Sequence, residues 1–170
     1  MNEKLRIILV KKILSTNSGK FFQPTKKSVK NILQLFSSNK NTTKTLHSSV
    51  IKVKDDVIYI FRESQKTQIN MNLGLICKKN ENVWWDNRFL ISSTKNNFLC
   101  SCINEKNWPD LKICCDDKIN KIPFEIIKSL PIIKIKSKKL IPYLSKKEEF
   151  KKMGIKIYFD SRVELVNNNF

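Results

Sequence analysis

The chain has 170 residues, 41% of them hydrophobic, which is enough for one medium domain or for a small helical part and a larger domain. It contains no apolar run of the roughly 18 residues that span a bilayer and no signal-peptide cleavage pattern, so we expect a cytoplasmic protein without membrane contact. The formal net charge of +18 favours a polyanionic partner such as nucleic acid. However, 29 of the 33 basic residues are Lys, Ala is absent, and Asn and Ile are abundant, so an AT-rich genome is a second explanation of the charge.

The first predicted helix covers residues 3–14. Apolar residues recur there at the i, i+3, i+4 and i+8 spacing of one helix face. The members of this face are Leu5, Ile8, Leu9 and Ile13. The sequence Asn17-Ser18-Gly19 then supplies a stop signal, because Gly readily adopts the left-handed conformation that often ends a helix.

The second predicted helix, 26–36, carries most of the candidate nucleic-acid contacts. Thr25 is placed to cap it. Its apolar stripe comprises Val29, Ile32, Leu33 and Phe36. Its other face comprises Lys26, Lys27, Lys30, Asn31 and Gln34. Such a face is either solvated or turned toward RNA, and both interpretations stay open. The complete set of candidate nucleic-acid contacts is Lys26, Lys27, Lys30, Arg62 and Arg88.

A polar linker at 37–43 follows the helices, and short strand-like runs follow the linker. We therefore predict a helical segment, 1–40, and a β-rich C-terminal domain, 41–170. The predicted strands outside segment 83–91 are 50–53, 57–61, 73–77, 98–103, 111–115, 132–135, 140–143, 155–159 and 162–166. A loop is predicted at 64–71, a turn at 108–110, and a short helix at 124–129 that starts at Pro123. The fold class is α+β: two N-terminal helices, then a mostly antiparallel β-rich domain with one short helix.

The segment 83–91 combines strand and turn signals. It places two Trp, one Phe and three aliphatic residues around a polar insert, Asp86-Asn87-Arg88. Asp and Asn tolerate turn backbone angles and hydrogen bond to their own main chain, so the segment predicts two short strands joined by a tight turn. We expect Trp85 and Phe89 to lie in the core.

Four segments between residues 44 and 143 carry a resemblance to a known family. They are Thr45-Leu46 with the strand after it, 59–63 (Tyr-Ile-Phe-Arg-Glu), 85–89 (Trp-Asp-Asn-Arg-Phe), and Ser129-Leu130-Pro131 with Leu140-Ile141-Pro142. In this order they resemble the C-terminal part of alphaproteobacterial tRNA(Ile)-lysidine synthetases, also called synthases. That family has Gly where this chain has Asn87, and a Gly pair where it has His47-Ser48. Asn is the next-best residue for a left-handed turn position.

The resemblance implies a part that helps to hold tRNA while another domain uses ATP and lysine to convert the wobble cytidine of a CAU anticodon to lysidine. The family's Ser-Gly-Gly-x-Asp-Ser phosphate loop has no counterpart, because Gly19, Gly74 and Gly154 lie far apart. We expect no catalytic residue and no cofactor in this chain. The implied partners are tRNA and a separately encoded catalytic half. Alternatives are a non-functional remnant of a truncated gene, a stand-alone basic RNA-binding module, and an interaction domain whose charge reflects codon usage.

Other reactive side chains do not suggest a catalytic or metal site. His47 is the only His and lies beside the linker, where a His is more often a surface or hydrogen-bonded residue than a base. Neither Cys100 with Cys102 nor Cys114 with Cys115 has the Cys-x-x-Cys spacing of a zinc knuckle. We expect reduced, buried thiols and no metal.

Overall fold

The computed structural model describes residues 2–37, 41–54, 57–70, 74–115, 119–120 and 122–159. These residues form two compact units that divide between Glu63 and Ser64. The predicted boundary at residue 40 lies instead between the helices and the strands of the first unit, and the limits of independently folding domains stay a prediction. The α+β class is confirmed, with two helices first and mostly antiparallel strands after them. Among the helices that the structure describes, none combines the length and the hydrophobicity that crossing a bilayer demands.

Helix α1, Glu3–Ser18, is confirmed, but the apolar face identified from its spacing is not the buried one. Asn2 caps the helix, and Gly19 ends it in the left-handed conformation at φ 63°. Its buried residues are Ile7, Val10, Leu14, Ser15 and Ser18. The exposed residues include Leu5, Ile8, Leu9 and Ile13. Apolar residues occur on more than one side of α1, so spacing alone could not select the side that packs.

Helix α2, Lys26–Ser37, and three strands complete the first unit. The strands are β1, Thr42–Leu46, β2, Ser49–Lys54, and β3, Val57–Arg62, in an antiparallel meander. Thr25 caps α2 as predicted, because its Oγ1 accepts a hydrogen bond from the Ser28 N–H at 3.2 Å. The predicted stripe of α2 packs against α1 and β2, with Val29 and Ile32 buried beside Ile51.

The turn between β1 and β2 consists of His47 and Ser48, with φ of 54° and 57°. Positive φ at both central residues is the requirement of a type I′ turn, whose twist matches that of the flanking strands. These are the two positions where the resembling family has Gly, which adopts this conformation without steric cost. A non-Gly residue there bears roughly 1–2 kcal/mol of strain, so the rest of the unit must hold this turn in place.

The second unit covers 64–159 and contains two antiparallel sheets and four short helices in its described residues. The helices are α3, Ser64–Asn70, α4, Trp108–Lys112, α5, Phe124–Ile127, and α6, Lys147–Met153. The strands are β4, Leu75–Cys77, β5, Asn82–Trp85, β6, Phe89–Ser93, β7, Phe98–Cys102, β8, Pro131–Ile135, β9, Lys138–Leu140, and β10, Ile155–Phe159. One sheet has the order β10-β6-β5 and the other β4-β7-β8-β9.

Strand β8 lies inside the larger sheet and is buried on both faces. On one face, Ile133 shares a hydrophobic cluster with Trp85 of the smaller sheet. On the other face, Ile132 packs in a second cluster with Leu111 of α4 and Ile127 of α5. Successive residues of a strand point to opposite faces, so neighbouring isoleucines can pack in two cores at once.

Several predicted elements need correction. The predicted loop 64–71 contains α3, and the turn 108–110 and strand 111–115 are replaced by α4. Pro109 occupies the first turn of that helix, where its fixed φ is already helical and its missing N–H costs nothing. Strand β9 ends at Leu140 rather than beginning there, and α6 was not predicted. The strands predicted at 50–53, 57–61, 98–103 and 155–159 are confirmed within one residue, whereas 162–166 lies outside the described residues.

Candidate nucleic-acid interface

Helix α2 presents a continuous polar and basic face. At about 100° per residue, Lys26, Lys27 and Lys30 fall within an arc of about 100°, which Asn31 extends to about 140°. These side chains, together with that of Gln34, are exposed. The apolar stripe of the helix packs into the core on its other side. A rigid support thus gathers three positive charges in a small area, which suits contact with several phosphates.

Lys30 also pairs with Glu3 of α1, with 2.9 Å between Nζ and Oε1. The hydrogen bond from Lys30, followed by its positive charge, lowers the pKa of Glu3 below the usual value. Both side chains remain largely exposed, so water and salt screen the pair and it contributes little to stability. Lys30 can therefore exchange this carboxylate for a phosphate at small cost.

Arg62 lies inside the first unit rather than on its surface. Only 3% of the residue is exposed, and its Nη1 donates a hydrogen bond to the Ser48 carbonyl at 3.3 Å. Arg62 is opposite Ser49 in the sheet, so its side chain reaches the turn between β1 and β2. The guanidinium thus supports the turn that His47 and Ser48 form, and a contact of Arg62 with nucleic acid stays a prediction.

Arg88 is buried in the second unit, with 2% exposure. Its Nε donates to Asp86 Oδ2 at 2.9 Å, and its Nη2 donates to the Ser129 carbonyl at 2.7 Å. The Thr67 hydroxyl on α3 donates to the same Asp86 oxygen at 3.1 Å. The guanidinium of Arg88 thus binds groups of the interior, and its contact with nucleic acid stays a prediction as well.

The predicted turn between β5 and β6 is confirmed. Asp86 and Asn87 have φ of 48° and 55°, and the Arg88 N–H donates to the Trp85 carbonyl at 2.9 Å. Asn87 thus takes a left-handed conformation at the position where the resembling family has Gly, as its tolerance of that region predicts. Trp85 and Phe89 flank the turn and are almost completely buried, which confirms that both are core residues.

Each buried Arg joins two of the four segments that carry the resemblance. Arg62, in segment 59–63, bonds the turn that follows Thr45-Leu46. Arg88, in segment 85–89, bonds Ser129, the first residue of Ser129-Leu130-Pro131. The partners are 14 and 41 residues apart in the sequence, so no local pattern could reveal these bonds. The segments therefore have a structural role within each unit, and the basic face of α2 is a separate feature.

His47 is half-buried in the first unit. Its ring meets Phe22 edge to face, with 5.1 Å between the ring centroids. Burial, followed by the positive charge of Lys20, lowers the pKa of His47. The imidazole is therefore neutral at pH 7.

The cysteines lie in different surroundings. Burial raises the pKa of Cys77 and Cys100, and it raises that of Cys102 to about 11. Cys114 is exposed and follows α4, so the expectation of buried strand thiols is wrong for this residue. Among the described residues, no three side chains of His, Cys, Asp or Glu converge as metal ligands do.

The chain is similar to enzymes of the family that the four segments indicate. It is 28% identical over 152 residues to the tRNA(Ile)-lysidine synthase of Rickettsia akari (strain Hartford), with 85% of this chain and 34% of that protein covered. It is 28% identical over 183 aligned residues to the tRNA(Ile)-lysidine synthase of Rickettsia bellii (strain OSU 85-389), with 99% of this chain and 37% of that protein covered. The resemblance is thereby confirmed, and the chain spans about a third of the length of these curated relatives. No family model and no solved structure matches the chain.

Proposed function

We propose that this chain is the tRNA-positioning, C-terminal part of a tRNA(Ile)-lysidine synthase and that it holds tRNA through the basic face of α2. The observation that carries the proposal is the exposed group of Lys26, Lys27 and Lys30 on a rigid helix, in a chain similar to tRNA-modifying enzymes. The reaction itself, the ATP-dependent conversion of the wobble cytidine of a CAU anticodon to lysidine, belongs to a separate catalytic domain.

The chemistry of Lys suits positioning better than sequence readout. Its ammonium group is a flexible point charge without the planar fork that Arg uses to read a base edge. Contacts of this kind fix the orientation of a nucleic acid through its phosphates and carry no direct sequence information. The chain would therefore bring tRNA to the catalytic domain, and that domain would select the cytidine.

Binding of unmodified tRNA(Ile) by the purified chain tests the positioning role. Neutralised phosphates release counterions, so we expect clear binding at about 50 mM salt and a marked loss of affinity at about 200 mM. An absence of binding at the lower concentration would contradict the proposal and leave AT-rich codon usage as the explanation of the charge.

A turnover assay tests the division of labour. The chain would be incubated with ATP, lysine and unmodified tRNA(Ile), and AMP and pyrophosphate would be measured. We expect neither product above background, because a phosphate-binding Gly loop has no counterpart in the sequence. Clear release of either product would show that this chain performs the chemistry itself.

A further inference from the structure

The outer face of α1 is unusually apolar for a surface. Leu5, Ile8, Leu9 and Ile13 are 54%, 48%, 44% and 37% exposed. The opposite side of the helix is already packed in the core of the first unit. A helix that is apolar on both sides is expected to be covered on both sides, and contiguous exposed apolar patches typically mark interaction sites.

This face continues into an open groove on the first unit with a volume of about 690 Å³. The groove lies among α1, α2 and β3. Its apolar lining includes Leu9, Ile13, Leu33, Phe36, Ile58 and Ile60. Ile58 is itself 42% exposed, so the apolar surface extends from α1 across the groove to the sheet.

The polar residues of the groove do not form a small-molecule site. Small-molecule pockets place a few polar groups so that they converge on the ligand. Here Glu3 and Lys30 bond each other at 2.9 Å, and Arg6 and Gln34 are the other polar residues of the lining. A long apolar surface with paired charges beside it is instead typical of a groove that receives an amphipathic helix.

We propose that this groove is the docking surface for a helix from the catalytic portion of a lysidine synthase. The inference rests on the proposed function. The relatives are about three times as long as the stretch that this chain matches, so a large portion of the same protein is available for contact with that stretch. An exposed apolar groove on the matched stretch is the surface expected for that contact.

The chemistry of the groove also specifies its occupant. A docking helix would place apolar side chains at i, i+3 or i+4, and i+7 along the groove. Arg6 and Lys30 outnumber Glu3 among the charged residues of the lining, so acidic side chains on the flanks of the helix would be favoured. Lys26 and Lys27 of the basic face would remain available to tRNA, because neither lines the groove, whereas Lys30 belongs to both surfaces.

The test uses the part of the Rickettsia bellii (strain OSU 85-389) synthase that lies outside the matched stretch, produced as a separate chain. Its binding to this protein would be measured by calorimetry and by sedimentation. The variant Leu9→Glu/Ile13→Glu places two charges on the exposed apolar face, and Lys4→Glu makes the same change in net charge at an exposed position of the same helix that does not line the groove. Circular dichroism would check that all three proteins are equally folded.

We expect a one-to-one complex that Leu9→Glu/Ile13→Glu weakens by about 30-fold or more and Lys4→Glu leaves within about threefold. Absence of a complex with the unaltered chain, or equal affinities of the two variants, would overturn the proposal. Self-association that the double variant abolishes would also overturn it, since a second copy would then occupy the groove. Binding of tRNA distinguishes a failure of the docking inference from a failure of the proposed function. If only the docking inference fails, the chain still binds tRNA.

Discussion

At the residue scale, Arg62 and Arg88 show that a basic side chain in a basic protein can be buried. A guanidinium group loses hydration when it is buried and is tolerated only where its N–H groups find acceptors. Arg88 donates to the Asp86 carboxylate and to the Ser129 carbonyl. Asp86 is buried as well, so each of these two charges depends on the other.

Removal of Arg88 should therefore be costly. We expect Arg88→Ala to lower the free energy of unfolding by about 3–5 kcal/mol, because a buried carboxylate is left without its counter-charge. Asp86→Asn/Arg88→Met removes both charges and should be less destabilising than the single change. Urea unfolding at 25 °C measures both effects, and a single variant as stable as the unaltered protein would show that Asp86 is solvated.

The thiol surroundings predict an order of alkylation. Burial, followed by the negative charge of Asp86, raises the pKa of Cys102 to about 11, so only about one thiol in 10³ is ionised at pH 8. Because the thiolate is the nucleophile, iodoacetamide at pH 8 should modify exposed Cys114 well before Cys102. A rise from pH 8 to pH 10 should accelerate the alkylation of Cys102 by about 100-fold. Mass spectrometry that finds equal rates for both residues at pH 8 would contradict this order.

At the element scale, the hairpin of β5 and β6 ties the second unit together. Its turn is anchored to α3 through Thr67 and to the segment before β8 through Ser129. Its aromatic residues Trp85 and Phe89 lie in the cluster that joins the two sheets. Damage to this one hairpin should therefore affect both sheets of the unit.

Trp85→Ala tests the importance of the hairpin. Truncation of a fully buried aromatic side chain costs roughly 3–5 kcal/mol, against a typical total stability of about 5–15 kcal/mol. Trp84, the neighbouring half-buried residue, provides the control, and its replacement by Ala should cost clearly less. Thermal unfolding measures both variants; a midpoint for Trp85→Ala that equals that of the unaltered chain would place Trp85 outside the core.

The elements also show which features local patterns can and cannot predict. The turn at Asp86 and Asn87 follows from residue types and flanking strands, and the cap of α2 follows from Thr25, whereas strand β1 and the turn at His47 and Ser48 were not predicted. The buried side of α1 could not be predicted, because two faces compete and only tertiary packing selects one. Helix α3 could not be predicted from its polar segment. Thr67 is buried there and hydrogen bonds to the distant Asp86, a contact that the local sequence does not show. The groove beside α1 could not be predicted from a local pattern either, because residues of three elements line it.

At the scale of the whole molecule, the net charge of +18 makes some attraction to RNA unavoidable. Binding as such therefore does not distinguish a positioning surface from a diffuse positive field. A defined surface differs in one respect, since particular lysines replace particular counterions and each contributes to the salt dependence of affinity. The central claim is that those lysines lie on α2.

The salt dependence of tRNA binding by two matched variants tests this claim most directly. Lys26→Gln/Lys27→Gln/Lys30→Gln removes three charges from α2, and Lys146→Gln/Lys147→Gln/Lys151→Gln removes three from exposed positions at and within α6. Each lost phosphate contact lowers the slope of log affinity against log salt by about 0.7–0.9, so the α2 variant should lose about two to three units. The α6 variant should keep the slope of the unaltered chain. An unchanged slope for the α2 variant, or an equal loss in both, would contradict a tRNA-positioning role for α2.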